Sequence, residues 1–284
     1  MNNEQYVIAE IKSRLNLGED DKIVFQKTVK NNGGVFDTCL INKSGEKISP
    51  NIYYNSSNED DDIVEEICAI YNSNSREIDG VKSASEELIN VFKDKDTFLS
   101  KVLPMLVNRE KNTELLMKIP HTPYLNLEVI YYIDLPIGIA KVYNSHIDSL
   151  GVSLEEIHSS ALMNLLNRSN KVESLFETMK RMYEAPLPPV EDAGLYIMTN
   201  KDGCYGATQM LNPFSLQKMQ EKLGEHFYII PSSIHEVICV PMKRGCEKIL
   251  IDMVKEVNAT NLSERNFLAD SLYEYNKGKI TEVA

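Results

Sequence analysis

Phe227-Tyr228-Ile229-Ile230-Pro231-Ser232-Ser233-Ile234-His235-Glu236-Val237-Ile238-Cys239-Val240 sets two short apolar runs on either side of a polar break. Both runs are rich in β-branched and aromatic residues and are too short for a helix, so each reads as a strand. Pro231-Ser232-Ser233 supplies the turn between them. Strands joined by so short a break are hairpin-compatible, which makes an antiparallel pair the natural outcome.

Working outward, the same grammar recurs. Asn212-Pro213 gives an N-cap and a first-turn proline and Gly224 a stop, so the sequence predicts a helix over 213–223. Upstream, Leu195–Thr199 and Cys204–Ala207 flank the turn-like Asn200-Lys201-Asp202-Gly203 and read as another hairpin, while Ala185-Pro186-Leu187-Pro188-Pro189 cannot sustain a helix. Downstream, Ile249, Leu250, Met253, Val254 and Val257 mark an amphipathic helix, and Leu272–Ile280 reads as a last strand.

Residues 4–16 read as a helix. Ile23, Phe25 and Val29 alternate up to Asn31-Asn32-Gly33-Gly34, Val35–Ile41 resumes the extended pattern, and a third strand falls near Ile48–Tyr54. The acidic run Glu59-Asp60-Asp61-Asp62 precedes the helical stripe Ile63, Ile67, Ile70 and Tyr71, where negative charge suits a helix start; Asn72–Gly80 reads as a polar loop and Leu88, Ile89 and Phe92 as a further stripe. Residues 101–109 read as extended and 111–118 as a short helix, and Leu127–Asp134 and Gly138–Tyr143 as strands joined through Pro136. Ser153-Leu154-Glu155-Glu156 is a capping box, and Leu154, Ile157, Ala161, Leu162 and Leu165 carry its helix to about 167. Strands in hairpin groups without regular βαβ alternation give an α+β fold, mainly antiparallel sheet with flanking helices. The charged Lys93-Asp94-Lys95-Asp96 marks a soft boundary, so the expected subdomains are an acidic 1–95 and a 96–284 that carries the histidine motifs.

Composition narrows the class. With 284 residues, 43% hydrophobic and 25% charged, the chain is that of a folded protein able to bury a large core. No stretch approaches the length of apolar residues that spans a bilayer, and Met1–Glu10 lacks the basic start and apolar core of a secretion signal. The expectation is a cytoplasmic protein with no membrane association. Five scattered cysteines, Cys39, Cys68, Cys204, Cys239 and Cys246, fit reduced thiols. A net charge of −12, most of it within residues 1–100, repels polyanions and argues against nucleic-acid binding.

Candidate chemistry centres on the opening stretch, where Ser232, Ser233, His235 and Glu236 offer hydroxyls, an imidazole and a carboxylate. Neighbours on a strand point to opposite faces, so His235 and Glu236 make a poor dyad, and the glycine-flanked serine of a nucleophile elbow is missing. The plainer reading is a turn in which a serine satisfies backbone groups and His235 makes a buried hydrogen bond. His146, in Asn144-Ser145-His146, sits where a side chain can project from a sheet end as base or ligand, or else within a short helical turn capped by Asn144 or Ser145 and containing Ile147 and Leu150. His121, in Ile119-Pro120-His121-Thr122-Pro123, reads as part of a proline-constrained surface loop. His158 and His226 read as boundary residues, and Tyr131, Tyr132 and Tyr143 as sheet packing. Neither HExxH, CxxC nor an EF-hand loop occurs, and neither GxGxxG nor a Walker loop, so no metal and no cofactor is expected.

Asn108-Arg109-Glu110-Lys111-Asn112, Ile119-Pro120-His121, Tyr143-Asn144-Ser145-His146, Met198-Thr199-Asn200-Lys201 and Pro231-Ser232-Ser233-Ile234-His235-Glu236-Val237, in that order, resemble an uncharacterised bacterial family catalogued as a domain of unknown function. The resemblance runs from Gly33-Gly34 to Tyr273-Glu274-Tyr275, and the Pro-Ser-Ser-x-His-Glu-Val stretch is its most specific part. It implies a bacterial intracellular protein and assigns no reaction, ligand or catalytic residue. The reading is therefore a binding or regulatory module with a protein or small-molecule partner. Its rival is a hydrolase or transferase using His235 with His121 or His146 brought near by folding.

Overall fold

The computed structural model describes residues 3–45, 51–74, 86–135, 138–182 and 194–283. It divides into two compact units, Met1–Val91 with Leu135–Gly138, and Phe92–Asp134 with Ile139–Ala284.

In the first unit, α1 (Glu4–Arg14) is capped by the Asn3 side chain, which accepts from the Tyr6 N–H. Strands β1 (Lys22–Val29) and β2 (Val35–Asn42) pair antiparallel in the register Phe25 to Cys39, and β3 (Asn51–Tyr53) adds to β2. The chain reverses between β1 and β2 because Asn32 and Gly33 take φ of 60° and 74°, a region asparagine and glycine enter at low cost. The acidic run does open a helix, α2 (Asp60–Asn74), with three aspartates in its first turn. Asn72–Asn74 continue this helix where a loop was expected. Ile11, Ile41, Ile52, Ile63 and Ile67 seal the core between helices and sheet.

The second unit holds two sheets. In one, β4 (Val102–Asn108) and β5 (His121–Tyr124) flank the central β6 (Leu127–Leu135), and β7 (Gly138–Lys141) also pairs with β6. The helices around it are α3 (Lys95–Lys101), α4 (Thr113–Leu116), α5 (Asn144–Leu150) and α6 (Leu154–Leu166), of which α6 lies across β4. The other sheet is built from β8 (Asn170–Ser174), β9 (Tyr196–Asn200), β10 (His226–Ile230), β11 (Val237–Pro241), β12 (Tyr273–Asn276) and β13 (Lys279–Glu282), in the order β13-β12-β10-β11-β9-β8. Helices α7 (Leu175–Met182), α8 (Pro213–Leu223) and α9 (Glu247–Asn261) complete the unit. The expected hairpin of the opening stretch is present, with Ile230 opposite Ile238. The fold is α+β with antiparallel pairing throughout the registers β1–β2, β4–β6, β5–β6 and β8 to β13.

Four further expectations are corrected. Cys204–Ala207 is not a strand: the Asn200 side chain closes the turn by donating to the Cys204 carbonyl at 2.6 Å and accepting its N–H at 3.2 Å, and residues 206–211 then coil as a 3-10 helix. β9 finds its partners in β8 and β11 instead. The terminal stretch is two strands, reversed where Lys277 and Gly278 take positive φ, with Glu274 opposite Thr281. His121 lies in the edge strand β5, where Pro123 is tolerated because the outer side of an edge needs no donor. The cap of α5 is Tyr143, so neither Asn144 nor Ser145 caps it. The Pro136 turn, the 185–189 prolines and 75–80 lie outside the described residues.

Candidate functional site

The connection between β10 and β11 is a mesh of backbone-directed hydrogen bonds. Ser232 N–H donates to the Ile230 carbonyl at 2.9 Å and Ser233 N–H to that of Glu236 at 3.2 Å. Ser233 Oγ accepts the His235 N–H at 3.0 Å. The His235 ring is held at both nitrogens: Nδ1 accepts the Tyr205 N–H at 3.2 Å, which leaves the ring proton on Nε2, 3.3 Å from Asn266 Oδ1. Thr199 Oγ1 donates to the His235 carbonyl at 2.8 Å. The Tyr205 ring in turn lies between His235 and Tyr132, with centroid separations of 5.5 Å to each. Neither Ser232 nor Ser233 bonds to the imidazole, and Glu236 makes no side-chain hydrogen bond among the described residues.

His146 is the third residue of α5. Its Nδ1 accepts the Tyr143 N–H at 3.2 Å, so it returns to the cap as a glutamate does in a capping box. Its ring lies against that of Phe92, centroids 4.1 Å apart and tilted by 38°, and burial pushes its pKa below the usual histidine value. His121 Nδ1 lies 3.1 Å from the Ile119 carbonyl, to which it donates. Among the described residues, no hydrogen bond or ring contact joins any two of His121, His146 and His235.

The motif around Arg109 is also spent on the chain itself. Arg109 Nε donates to Glu128 at 2.6 Å and Nη2 to the Leu125 and Leu127 carbonyls, which pins a turn where Leu125 is forced to a φ of 53°. Asn108 donates from Nδ2 to the Leu268 carbonyl at 2.9 Å.

A different histidine faces open space. His121 sits opposite Ile130 and Thr122 opposite Val129, so strand alternation puts His121 on one face of the sheet and Thr122, Val129 and Tyr131 on the other. That second face is the one α6 covers, and His158 and Leu162, one turn apart on α6, line a cleft of about 430 Å³ there. The walls come from Pro123, Tyr124 and Val129, from Met210 and Leu211, from Pro213 and Leu216 of α8, and from Gly278, Lys279 and Ile280. Gln209 accepts from Asn212 Nδ2 at 3.0 Å and Ser215 Oγ at 2.6 Å, tying the 206–211 helix to α8 beneath it.

The polar groups of the cleft are few and wired. His158 Nδ1 is 2.9 Å from Tyr131 Oη, which is 2.6 Å from Thr122 Oγ1. Either end can supply the protons of this chain, so His158 can present Nε2 as donor or acceptor. Burial lowers the His158 pKa and pushes Tyr131 up to about 12, so the tyrosine stays a proton-bearing link. Tyr124, likewise pushed up to about 12 by burial, donates to the Met210 carbonyl. From the sequence, His158 reads as a boundary residue and Tyr131 as sheet packing. The available signal is the spacing of His158 and Leu162, but the facing residues come from three distant stretches, 123–129, 210–216 and 278–280.

Among the described residues, no helix is long and apolar enough to cross a membrane, and no three His, Cys, Asp or Glu side chains gather as a metal would need. No curated protein and no solved structure matches the chain. Residues 3–277 match the model described as "Family of unknown function (DUF5688)", and the chain belongs to that family.

Proposed function

We propose that this chain is an intracellular bacterial binding module whose ligand is a small molecule held in the His158 cleft. The observation that carries the reading is the convergence of His158, Tyr124 and Lys279, from three separate elements, on a largely apolar cavity whose volume falls in the range of ligand sites. The five free cysteines support an intracellular setting. The geometry gives little to a hydrolase or transferase built on His235, because both ring nitrogens are engaged and no hydroxyl or second imidazole bonds to it.

The test is mass spectrometry of the natively purified chain, followed by denaturation to release and identify what it carries. A small molecule present in the parent and absent from Leu162→Trp, which fills the cleft, supports the reading. A molecule retained equally by both places the ligand elsewhere and sinks it.

A further inference from the structure

We infer that the cleft selects a monoanion with an apolar body, of the class of small alkyl or aryl carboxylates; this rests on the cleft being the ligand site. The chain is acidic, with a net charge of −12, yet none of the twelve residues that line the cleft is an aspartate or glutamate. Its only lysine or arginine is Lys279, which takes part in none of the ion pairs among the described residues. Val129, Leu162, Met210, Leu211, Leu216 and Ile280 form the apolar wall. Pro213, the first residue of the eleven-residue α8, brings the positive end of a helix dipole to the same cavity. Asn212 already caps the Phe214 N–H at 3.0 Å, so the helix contributes its field and not a free donor.

A carboxylate is expensive to bury without partners, which seats the charge at the exposed Lys279 and turns the apolar body inward. One ammonium favours a single negative charge over a phosphate dianion. His158 completes the match. Among the described residues its Nε2 has no hydrogen-bond partner, and an anion requires a donor there. Tyr131 then donates to Nδ1 and accepts from Thr122, an arrangement for which the 2.9 and 2.6 Å separations are already set.

The experiment is calorimetric or protein-observed NMR titration of the full chain with hexanoate and phenylacetate against their neutral amides, hexanamide and phenylacetamide. The carboxylates should bind about two- to five-fold tighter than the amides, the range an exposed ion pair supplies. Lys279→Gln should erase that gap, and Leu162→Trp should abolish binding of both. Should Leu162→Trp not fold, Ile280→Trp blocks the same cavity from β13. Amide and carboxylate binding alike in the parent, both lost on filling the cleft, overturns the charge selectivity and leaves the cleft as the ligand site. Binding that survives both tryptophan variants overturns the cleft itself. No binding by any of the four probes also overturns the carboxylate class, and the mass-spectrometric comparison then judges the cleft alone.

Discussion

His235 Nδ1 accepts the backbone N–H of Tyr205 at 3.2 Å, across thirty residues of chain. This bond stands where the expected second strand of a hairpin fails. Tyr205 takes a φ of 55°, so its N–H points away from any ladder and would be left unpaired if the imidazole did not reach it. One side chain of the β10–β11 connection thereby holds the entry to the 206–211 helix that forms part of the cleft wall.

Replacing His235 with alanine removes the acceptor for Tyr205 and the donor for Asn266 together. Leaving a half-buried polar group unsatisfied costs about 1 to 3 kcal/mol, so His235→Ala should lower the denaturant midpoint by that order. Unfolding monitored by circular dichroism decides it. A midpoint equal to the parent's would return His235, with Ser232, Ser233 and Glu236, to the list of candidate catalytic groups.

Gly206 should tolerate no side chain. A Cβ built there would lie 2.1 Å from Thr199 Oγ1, 2.5 Å from the His235 carbonyl oxygen and 2.8 Å from the Asn200 nitrogen. Two of the three are backbone atoms and cannot rotate away. Gly206→Ala should destabilise by about 1 to 3 kcal/mol or more, in the manner of an overpacked core, and Thr199→Ala should not rescue it. Rescue by Thr199→Ala would mean that the hydroxyl alone sets the clash.

Where local chemistry decides an element, the sequence was legible. Asn212, Pro213 and Gly224 bound α8 as their types require, and Ser153 with Glu156 caps α6 as the spacing predicts. Legibility fails where an element exists only through its neighbours. In β8, Val172 is the one apolar residue of five and every position is half-buried, so no alternation announces an edge strand that β9 creates by pairing with it. β5 hides behind Pro123 for the same reason. The site suffers most. Thr122, Tyr131 and His158 meet through sheet register and helix packing, and Lys279 joins them from the far end of the chain, none of which is encoded in spacing. The Pro231–Val237 stretch drew attention by its residue types, yet its serines and histidine are occupied with closing a connection whose backbone groups need partners.

Glu156 gives the α6 cap a pH signature. The Lys95 ammonium at 2.7 Å, followed by the Ser153 N–H and hydroxyl, holds its carboxyl down at about 2 against an ordinary 4.5. A depressed folded-state pKa stabilises above the unfolded value and loses that contribution as pH falls through the folded one. Glu156→Gln should therefore be less stable than the parent at neutral pH, with the gap closing between about 4.5 and about 2. Thermal unfolding across that window is the check, and a gap independent of pH would assign the loss to the cap's shape instead of its charge.

The thiols should separate by burial. Burial pushes Cys39 up to about 12, with the neighbouring Cys68 adding to it, raises Cys68 itself, and raises the wholly buried Cys239 further still. The thiolate is the reacting form, so these three should be inert in the native protein, while the exposed Cys204 meets reagent freely and the half-buried Cys246 follows. In a titration with Ellman's reagent at about pH 8, near a thiol's ordinary pKa, a fast phase should vanish in Cys204→Ser. The remaining buried thiols should appear only when denaturant is added, at the rate of unfolding. Denatured without reductant, the protein should yield all five thiols. A shortfall in protein kept from oxidation would reveal a disulfide and remove one support for the intracellular assignment, whereas rapid native reaction of Cys39 or Cys239 would show that the cores around them open far more readily than their packing implies.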